Sequence, residues 1–151
     1  MAKKEVVILT NMCMLYDEDK ILVQDRLNPD WPGITFPGGH VELNESFTES
    51  TIREIYEETG LKISNLKLCG IKQWNMDEDY NRYIVFLYKT DKFDGELKSS
   101  SEGKVFWINK KELANYTLAP GFKELFEVFD NDEINENFHF IENGEWKSKN
   151  L

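Results

Sequence analysis

Three glutamates, Glu54, Glu57 and Glu58, have the spacing of neighbours on one face of a helix. Like charges at this spacing repel each other. An anion in the last turn of a helix is also disfavoured by the helix dipole, by about 0.3–1 kcal/mol. Because local violations of stability rules concentrate at functional sites, we interpret these carboxylates as ligands of a cation.

A solvated acidic face is the alternative interpretation of the same glutamates. It would place lysines opposite the acids, whereas the neighbours on this helix are apolar: Phe47, Ile52, Ile55 and Tyr56. An oxygen-only ligand set suits Mg2+, with Mn2+ as the alternative, and protein-bound Mg2+ commonly bridges to substrate phosphates.

Residues before and within the acidic stretch support a metal site for phosphate chemistry. Arg53 stands four positions from Glu49 and Glu57 and eight from Glu45, so it can orient neighbouring acids. The "PGG" at residues 37–39 allows a sharp bend and a close approach to a ligand. The carbonyl of Gly38 is therefore a further candidate oxygen ligand.

The elements that must position these residues can be read from the sequence. Ser46 and Glu49 form a capping box and Gly60 is a stop signal, which predicts a helix over residues 46–59. Apolar, β-rich runs predict five or six strands. Two short helical stretches follow near residues 110–116 and 120–130, and a hairpin turns at Asn143 and Gly144.

These elements predict a single α/β (α+β) domain over residues 1–151, with a mixed β-sheet between helices. Residues from about 132 to 151 form a C-terminal hairpin extension. Cys13 and Cys69 are set among apolar residues and are interpreted as reduced, buried thiols, and the expected location is cytoplasmic.

Composition limits the partners. The net charge of -10 argues against a nucleic-acid polymer, which needs a basic surface, but not against a small phosphorylated ligand. No apolar run approaches the roughly 20 residues that cross a bilayer, so we expect no membrane contact.

The acidic stretch resembles the Nudix box, in which a glycine, a glutamate and an Arg-Glu-apolar-x-Glu-Glu-x-Gly-apolar run recur at fixed spacing. Every class-restricted position is filled: Gly39, Glu45, Arg53, Glu54, Ile55, Glu57, Glu58, Gly60 and Leu61. The resemblance implies the Nudix fold and a metal-dependent hydrolase of nucleoside diphosphate derivatives, acting by water attack on phosphorus.

By position, the resemblance assigns roles to the box residues. Glu54, Glu57 and Glu58 correspond to the metal ligands, assisted by the Gly38 carbonyl, and Glu45 to a supporting group fixed by Arg53. Glu54 or Glu57 is a candidate to take the proton from water. Family members often recruit another acid from a later loop, and Glu102 is our candidate for it.

The surroundings of the box most resemble the MutT-type branch, which cleaves nucleoside triphosphates, including 8-oxo-dGTP, to the monophosphate and pyrophosphate. Four residues are candidates for substrate binding: Arg26 and His40 for phosphates, and Phe36 and Trp31 for the base. The branch reads its base with an asparagine near the last helix; Asn115 stands early for this, which leaves base selectivity open.

Two other functions stay open. The same chemistry acts on dinucleoside polyphosphates, ADP-ribose or nucleotide sugars in other Nudix branches, and a sensor with this fold binds nucleotide without turnover. The complete glutamate set argues against the sensor. A monomer and a homodimer are equally compatible with the sequence.

Overall fold

The computed structural model describes residues 2–76 and 81–151. Within these residues the chain forms ten strands, two α-helices and one 3-10 helix. The strands are β1 (Val6–Asp17), β2 (Lys20–Arg26), β3 (Gly33–Thr35), β4 (Leu61–Ser64), β5 (Lys67–Asn75), β6 (Asn81–Thr90), β7 (Lys92–Gly95), β8 (Gly103–Asn109), β9 (Glu136–Glu142) and β10 (Glu145–Asn150). The helices are α1 (Phe47–Thr59) and α2 (Phe122–Asp130), and the 3-10 helix is Lys110–Asn115.

The main sheet is mixed, as the sequence predicts. Its strands run in the order β10-β9-β5-β6-β1-β2-β3. Strands β1 and β3 pair with different parts of one edge of β2, and β8 pairs with its other edge. The pairs β1–β6 and β5–β9 are parallel and the remaining pairs are antiparallel. Strands β4 and β7 form a separate two-stranded sheet.

Successive side chains of β1 and β2 point to opposite faces of the sheet, so the apolar core has one part beside each helix. Cys13 and Leu15 belong to the apolar cluster that contains Ile55 of α1. Met14, between them in the sequence, belongs to the cluster that contains Phe122 of α2. The helices therefore cover opposite faces of the sheet, which confirms the predicted sandwich.

Helix α1 ends where its capping residues predict. The Ser46 hydroxyl accepts a hydrogen bond from the Glu49 N–H at 3.0 Å. At the other end Gly60 adopts φ 77° and donates its N–H to the Tyr56 carbonyl. The left-handed conformation at Gly60 stops the helix one residue after the acidic turn.

The glycine segment, residues 37–41, lies beside β1 on the edge opposite β6. The N–H groups of Asn11 and Cys13 donate to the carbonyls of Gly39 and Pro37 at 2.8 and 3.0 Å. The glycine segment therefore behaves as a short extra strand and brings residues 38–40 alongside α1, with Gly38 at the Glu58 end of the helix.

The structure differs from the predicted elements in three details. The sequence of residues 61–76 predicts one long strand, but this run divides into β4 and β5 because Asn65 adopts φ 55° and turns the chain. With β7 and the tail hairpin, the described residues contain ten strands instead of five or six. The stretch after β8 forms a 3-10 helix.

The sequence also predicts a polar turn at residues 77–80. These residues lie outside the described part of the chain. In the part of the chain that the structure covers, no helix has the length and apolar character to span a bilayer. The cytoplasmic location stays a prediction.

Replacement of Ser46 by alanine tests the cap of α1. The change removes the acceptor for the Glu49 N–H, so we expect the free energy of unfolding to fall by about 1 kcal/mol in urea titrations. The matched control is Ser101→Ala in an exposed turn, which should leave the midpoint unchanged. Equal midpoints for both variants would show that the cap contributes no stability.

Candidate active site

Arg53 is the centre of the charge arrangement on α1. Its guanidinium binds the Glu45 carboxylate in bidentate fashion, with Nε–Oε2 and Nη2–Oε1 distances of 2.7 and 3.0 Å. These bonds and the N–H of Glu42 lower the pKa of Glu45 to about 2. The predicted partnership of Arg53 and Glu45 is therefore present in the structure.

The same guanidinium also reaches the acids that follow it. Nη1 of Arg53 lies 2.9 Å from Glu54 Oε1 and 3.2 Å from Glu57 Oε2, and Nη2 donates to the His40 carbonyl at 3.0 Å. One cation thus holds carboxylates on two turns of α1 and fixes the glycine segment against the helix.

Glu58 is the most deeply placed of the three acids, with 5% of its surface exposed. Its Oε2 accepts from the Gly38 N–H at 3.0 Å and from Gln24 Nε2 at 3.3 Å. Burial raises its pKa to about 7, and the nearby carboxylate of Glu54 adds to this shift.

Glu54 lies against the glycine segment. Burial raises the pKa of its carboxyl, while hydrogen bonds from Arg53 oppose the shift. A Cβ at Gly39 would overlap the Glu54 carboxyl group, and one at Gly38 would overlap the backbone of Asn11. The close approach of the β1 backbone therefore requires a glycine at position 38, and a side chain at position 39 would displace the Glu54 carboxylate.

These groups open into one cleft of about 580 Å3, within the size range of small-molecule sites. Predicted site residues that line the cleft are Arg26, Trp31, Phe36, Gly38, His40, Glu54, Glu58 and Glu102. Glu102 follows Ser100 in the loop before β8, and its charge contributes to the raised pKa of Glu58. The sequence-distant Glu102 and the box acids therefore meet at one site.

Three other residues considered in the sequence analysis offer little or no side-chain surface to a ligand in the cleft. Glu57 is not part of the cleft lining; its side chain is 55% exposed and turns towards Arg53. Phe36 is only 2% exposed and packs on Phe122 and Phe129, so it forms the floor of the cleft and offers little surface for stacking. Asn115 is exposed at the end of the 3-10 helix, outside the cleft lining.

Sequence reasoning missed three polar residues of the site. Asn11 is buried and joins α1 to the glycine segment: its amide donates to the Ser50 hydroxyl at 2.8 Å and accepts from the Gly39 N–H at 3.2 Å. Gln24 fixes Glu58, and Lys72 lines the far wall of the cleft. For Asn11 and Gln24 the available signal was a polar residue inside a largely apolar strand.

The residues at the helix end suit a divalent cation by their chemistry. Glu54 and Glu58 face the cleft, and the carbonyl of Gly38, unlike those of Pro37 and Gly39, receives no hydrogen bond from the described residues. Over the described parts of the chain, no three acidic, histidine or cysteine side chains already surround a common point. The oxygen donors of Glu54, Glu58 and Gly38 fit such a cation, whereas Glu57 is hydrogen-bonded to Arg53.

Known proteins share both the sequence and the fold. The NUDIX domain model matches residues 9–129. An uncharacterized Nudix hydrolase of Bacillus subtilis is 33% identical over 113 residues, which cover 72% of this chain and 70% of that protein. An ADP-ribose pyrophosphatase of Methanocaldococcus jannaschii is 35% identical over 89 residues, 58% of this chain and 52% of that protein, so the chain spans about half of that relative.

Among solved structures, a mutator MutT protein from Bacillus halodurans superposes with a TM-score of 0.77 at 28% identity. The match covers 95% of this chain and 97% of that one. Together with the domain match, this similarity shows that the chain belongs to the Nudix family. It is a Nudix hydrolase, and its similarity to a MutT protein supports the MutT-type branch that the residues around the box resemble.

The ion pair of Arg53 and Glu45 predicts an acid-dependent loss of stability. Because the pKa of Glu45 falls from 4.5 to about 2 on folding, the unfolded chain binds the proton more tightly. The stabilisation is therefore complete above pH 4.5 and is lost as the pH falls towards 2. Glu45→Gln should be less stable than wild type at pH 7 and should lose less stability on acidification.

Urea titrations at several pH values between 2.5 and 7 measure this effect. Glu145→Gln, on an exposed position of β10, is the matched control and should follow the wild-type pH profile. Parallel profiles for Glu45→Gln and wild type would contradict the assigned pKa shift.

Proposed function

We propose that the protein is a divalent-cation-dependent pyrophosphohydrolase that converts nucleoside triphosphates, including oxidised purines such as 8-oxo-dGTP, to the monophosphate and pyrophosphate. The observation that carries the proposal is the meeting of Glu54, Glu58 and Glu102 with Arg26 in one cleft. Acids alone would repel a polyphosphate, so a site for phosphates needs cations beside them.

Glu54, Glu57 and Glu58, with the Gly38 carbonyl, are the proposed ligands of Mg2+ or Mn2+. When bound, such a cation neutralises phosphate charge and makes water a better nucleophile. The exposed side chain of Glu57 has room to leave Arg53 and join the other two acids. Arg53 then remains held by Glu45 and keeps α1 in register with the glycine segment.

The protein's own groups have distinct proposed roles around the phosphates. Arg26 and His40 line the cleft, and the Arg26 guanidinium has no hydrogen-bond or ion-pair partner among the described residues. Glu102 lies on the same wall as Glu58 and can accept a proton from the attacking water, a role for which Glu54 and Glu57 are alternatives. Trp31, 44% exposed at the cleft, can cover the nucleoside.

A second candidate function is hydrolysis of another nucleotide derivative. The observation that favours it is the 35% identity with an ADP-ribose pyrophosphatase over 89 residues. ADP-ribose, dinucleoside polyphosphates and nucleotide sugars contain the same pyrophosphate unit, so the acids and Arg26 serve them equally well. The substrate panel must therefore include them.

Chromatographic product analysis with Mg2+ tests both candidates. The panel contains the four common deoxynucleoside triphosphates, 8-oxo-dGTP, ADP-ribose and a diadenosine polyphosphate. Monophosphate plus pyrophosphate from the triphosphates at the highest kcat/KM supports our proposal. Faster cleavage of ADP-ribose or the dinucleotide would replace it by the second candidate, and binding without turnover would indicate a sensor.

Glu58→Gln tests the proposed ligand set. The change keeps the shape and hydrogen-bonding oxygen but removes the negative charge, so we expect kcat to fall by roughly 100-fold or more with the fold retained in thermal melts. Glu49→Gln, on the exposed face of the same helix, is the control and should keep wild-type activity. Retained activity in Glu58→Gln would remove Glu58 from the ligand set.

Arg26→Ala tests the proposed phosphate contact. Hydrogen bonds to charged groups contribute about 1.5–3 kcal/mol, so we expect kcat/KM for triphosphates to fall by roughly 10- to 150-fold. Lys20→Ala, at the exposed start of the same strand, is the control for general loss of positive charge. Equal, small effects of both variants would show that Arg26 does not contact substrate.

A further inference from the structure

Lys72 is a buried cation that the phosphate chemistry does not use. It lies in the middle of β5 with 7% of its surface exposed, and it lines the cleft. In the described parts of the chain its ammonium group makes no hydrogen bond or ion pair. Its recorded contact is with the Trp74 ring, whose centre is 5.7 Å from Nζ.

Burial of an ammonium group without a hydrogen-bond acceptor is energetically unfavourable, and the pKa values at this position reflect it. Burial lowers the pKa of Lys72 to about 8, and Glu124 only partly opposes this shift. His139 of β9 lies close by, and burial together with the Lys72 charge lowers its pKa to about 4. Burial thus disfavours the charged form of Lys72, and the Lys72 charge in turn disfavours a charged imidazole beside it.

Cross-strand pairing fixes where Lys72 stands relative to the acids. Lys72 is opposite Val85 on β6, and Val85 is opposite Thr10 on β1. Thr10 in turn pairs with His40 of the glycine segment. Residues directly opposite each other share a face of the sheet, and all four line the cleft.

The row of paired residues from Lys72 to His40 places Lys72 too far from the reacting phosphates to contact them. Three strand spacings, roughly 14 Å, separate β5 from the glycine segment. A phosphate bound by Arg26, and by a cation on Glu54 and Glu58, would therefore lie at one end of the row and Lys72 at the other. An extended nucleotide can span that distance, with its base at the Lys72 end.

The wall around Lys72 suits a base. Trp74 and Tyr83 stack with ring centres 4.5 Å apart and planes 14° apart, and both line the cleft beside Lys72. Gly121 at the start of α2 lies close to the same group, since a Cβ built on it would be 3.5 Å from Lys72 Nζ. Aromatic surface together with one polar donor is the usual composition of a pocket that orients a flat ligand.

We propose that Lys72 determines base specificity by donating hydrogen bonds to the 6-oxo group of a purine. An ammonium group has three donors and no acceptor, so it matches the O6 and N7 acceptors of a 6-oxopurine. The 6-amino group of adenine presents a donor to it instead, so adenine offers the buried ammonium group N7 alone and one acceptor fewer than a 6-oxopurine. The inference rests on the proposed function only in that the cleft binds a nucleotide.

Inosine and adenosine nucleotides test the group in question, because their bases differ only in the oxo or amino group at position 6 and in the proton on N1 that accompanies the oxo group. The Lys72 variant separates the two differences, since the proposed contact is to position 6. We expect wild-type protein to hydrolyse ITP and GTP with a higher kcat/KM than ATP. In Lys72→Met this preference should fall by roughly 5- to 150-fold, through loss of the 6-oxopurine rates with the ATP rate nearly unchanged. Lys67→Met, on an exposed position of the same strand, should keep the wild-type preference.

Calorimetric binding of IMP and AMP gives a readout that does not require turnover. We expect tighter binding of IMP than AMP, with this difference lost in Lys72→Met and kept in Lys67→Met. That result supports the proposal even if no triphosphate is hydrolysed, because only the proposed reaction would then fail. Hydrolysis of ITP and ATP at equal efficiency by wild type would overturn the role of Lys72 and leave the reaction standing.

Two further outcomes would also overturn the proposal. An equal loss for ITP and ATP in Lys72→Met would indicate a phosphate contact or a structural role. Failure of wild type to bind either monophosphate would remove the base pocket itself. If thermal melts show that Lys72→Met is unfolded, Lys72→Gln replaces it in both assays, and the wild-type preference for IMP over AMP remains a test by itself.

Discussion

The hydrogen bonds of Arg53 are the interaction on which the candidate site depends. One guanidinium binds Glu45, Glu54, Glu57 and the carbonyl of His40, so it offsets the repulsion among acids crowded at one end of α1. Without a cation at this position the helix would carry several carboxylates against its own dipole. The hydrogen bond from Arg53 to the His40 carbonyl also holds the loop after β3 against α1. The same guanidinium therefore both neutralises the acids and fixes the position of this loop.

A second constraint is the lack of space between the glycine segment and its neighbours. Gly38 lies against the backbone of β1 and donates to Glu58, and Gly39 lies against Glu54. The buried Asn11 fills the remaining polar gap by bonding both Gly39 and Ser50. Backbone and carboxylates are thus packed as closely as core side chains, which fixes their positions before any ligand binds.

The sequence predicted the parts whose signals are local. The caps Ser46 and Gly60 gave the bounds of α1, and the spacing of its acids gave the position of the site. The division of β4 from β5 was missed because it depends on a single left-handed residue, Asn65. Lys72 was missed for a different reason: its burial follows from the pairing of β5 with β9, a contact between residues far apart in the sequence. The roles of the site residues stay predictions.

The position of the C-terminal hairpin has a consequence for how this enzyme can change. Strand β9 begins after residue 129, where the domain match ends, yet it extends the sheet beside β5 and brings His139 to Lys72. Helix α1 and the glycine segment lie at the opposite side of β6 and β1. Mutations that accumulate in the hairpin can therefore change the surroundings of Lys72 without altering the glycine segment or α1, so the two ends of the cleft can evolve at separate rates.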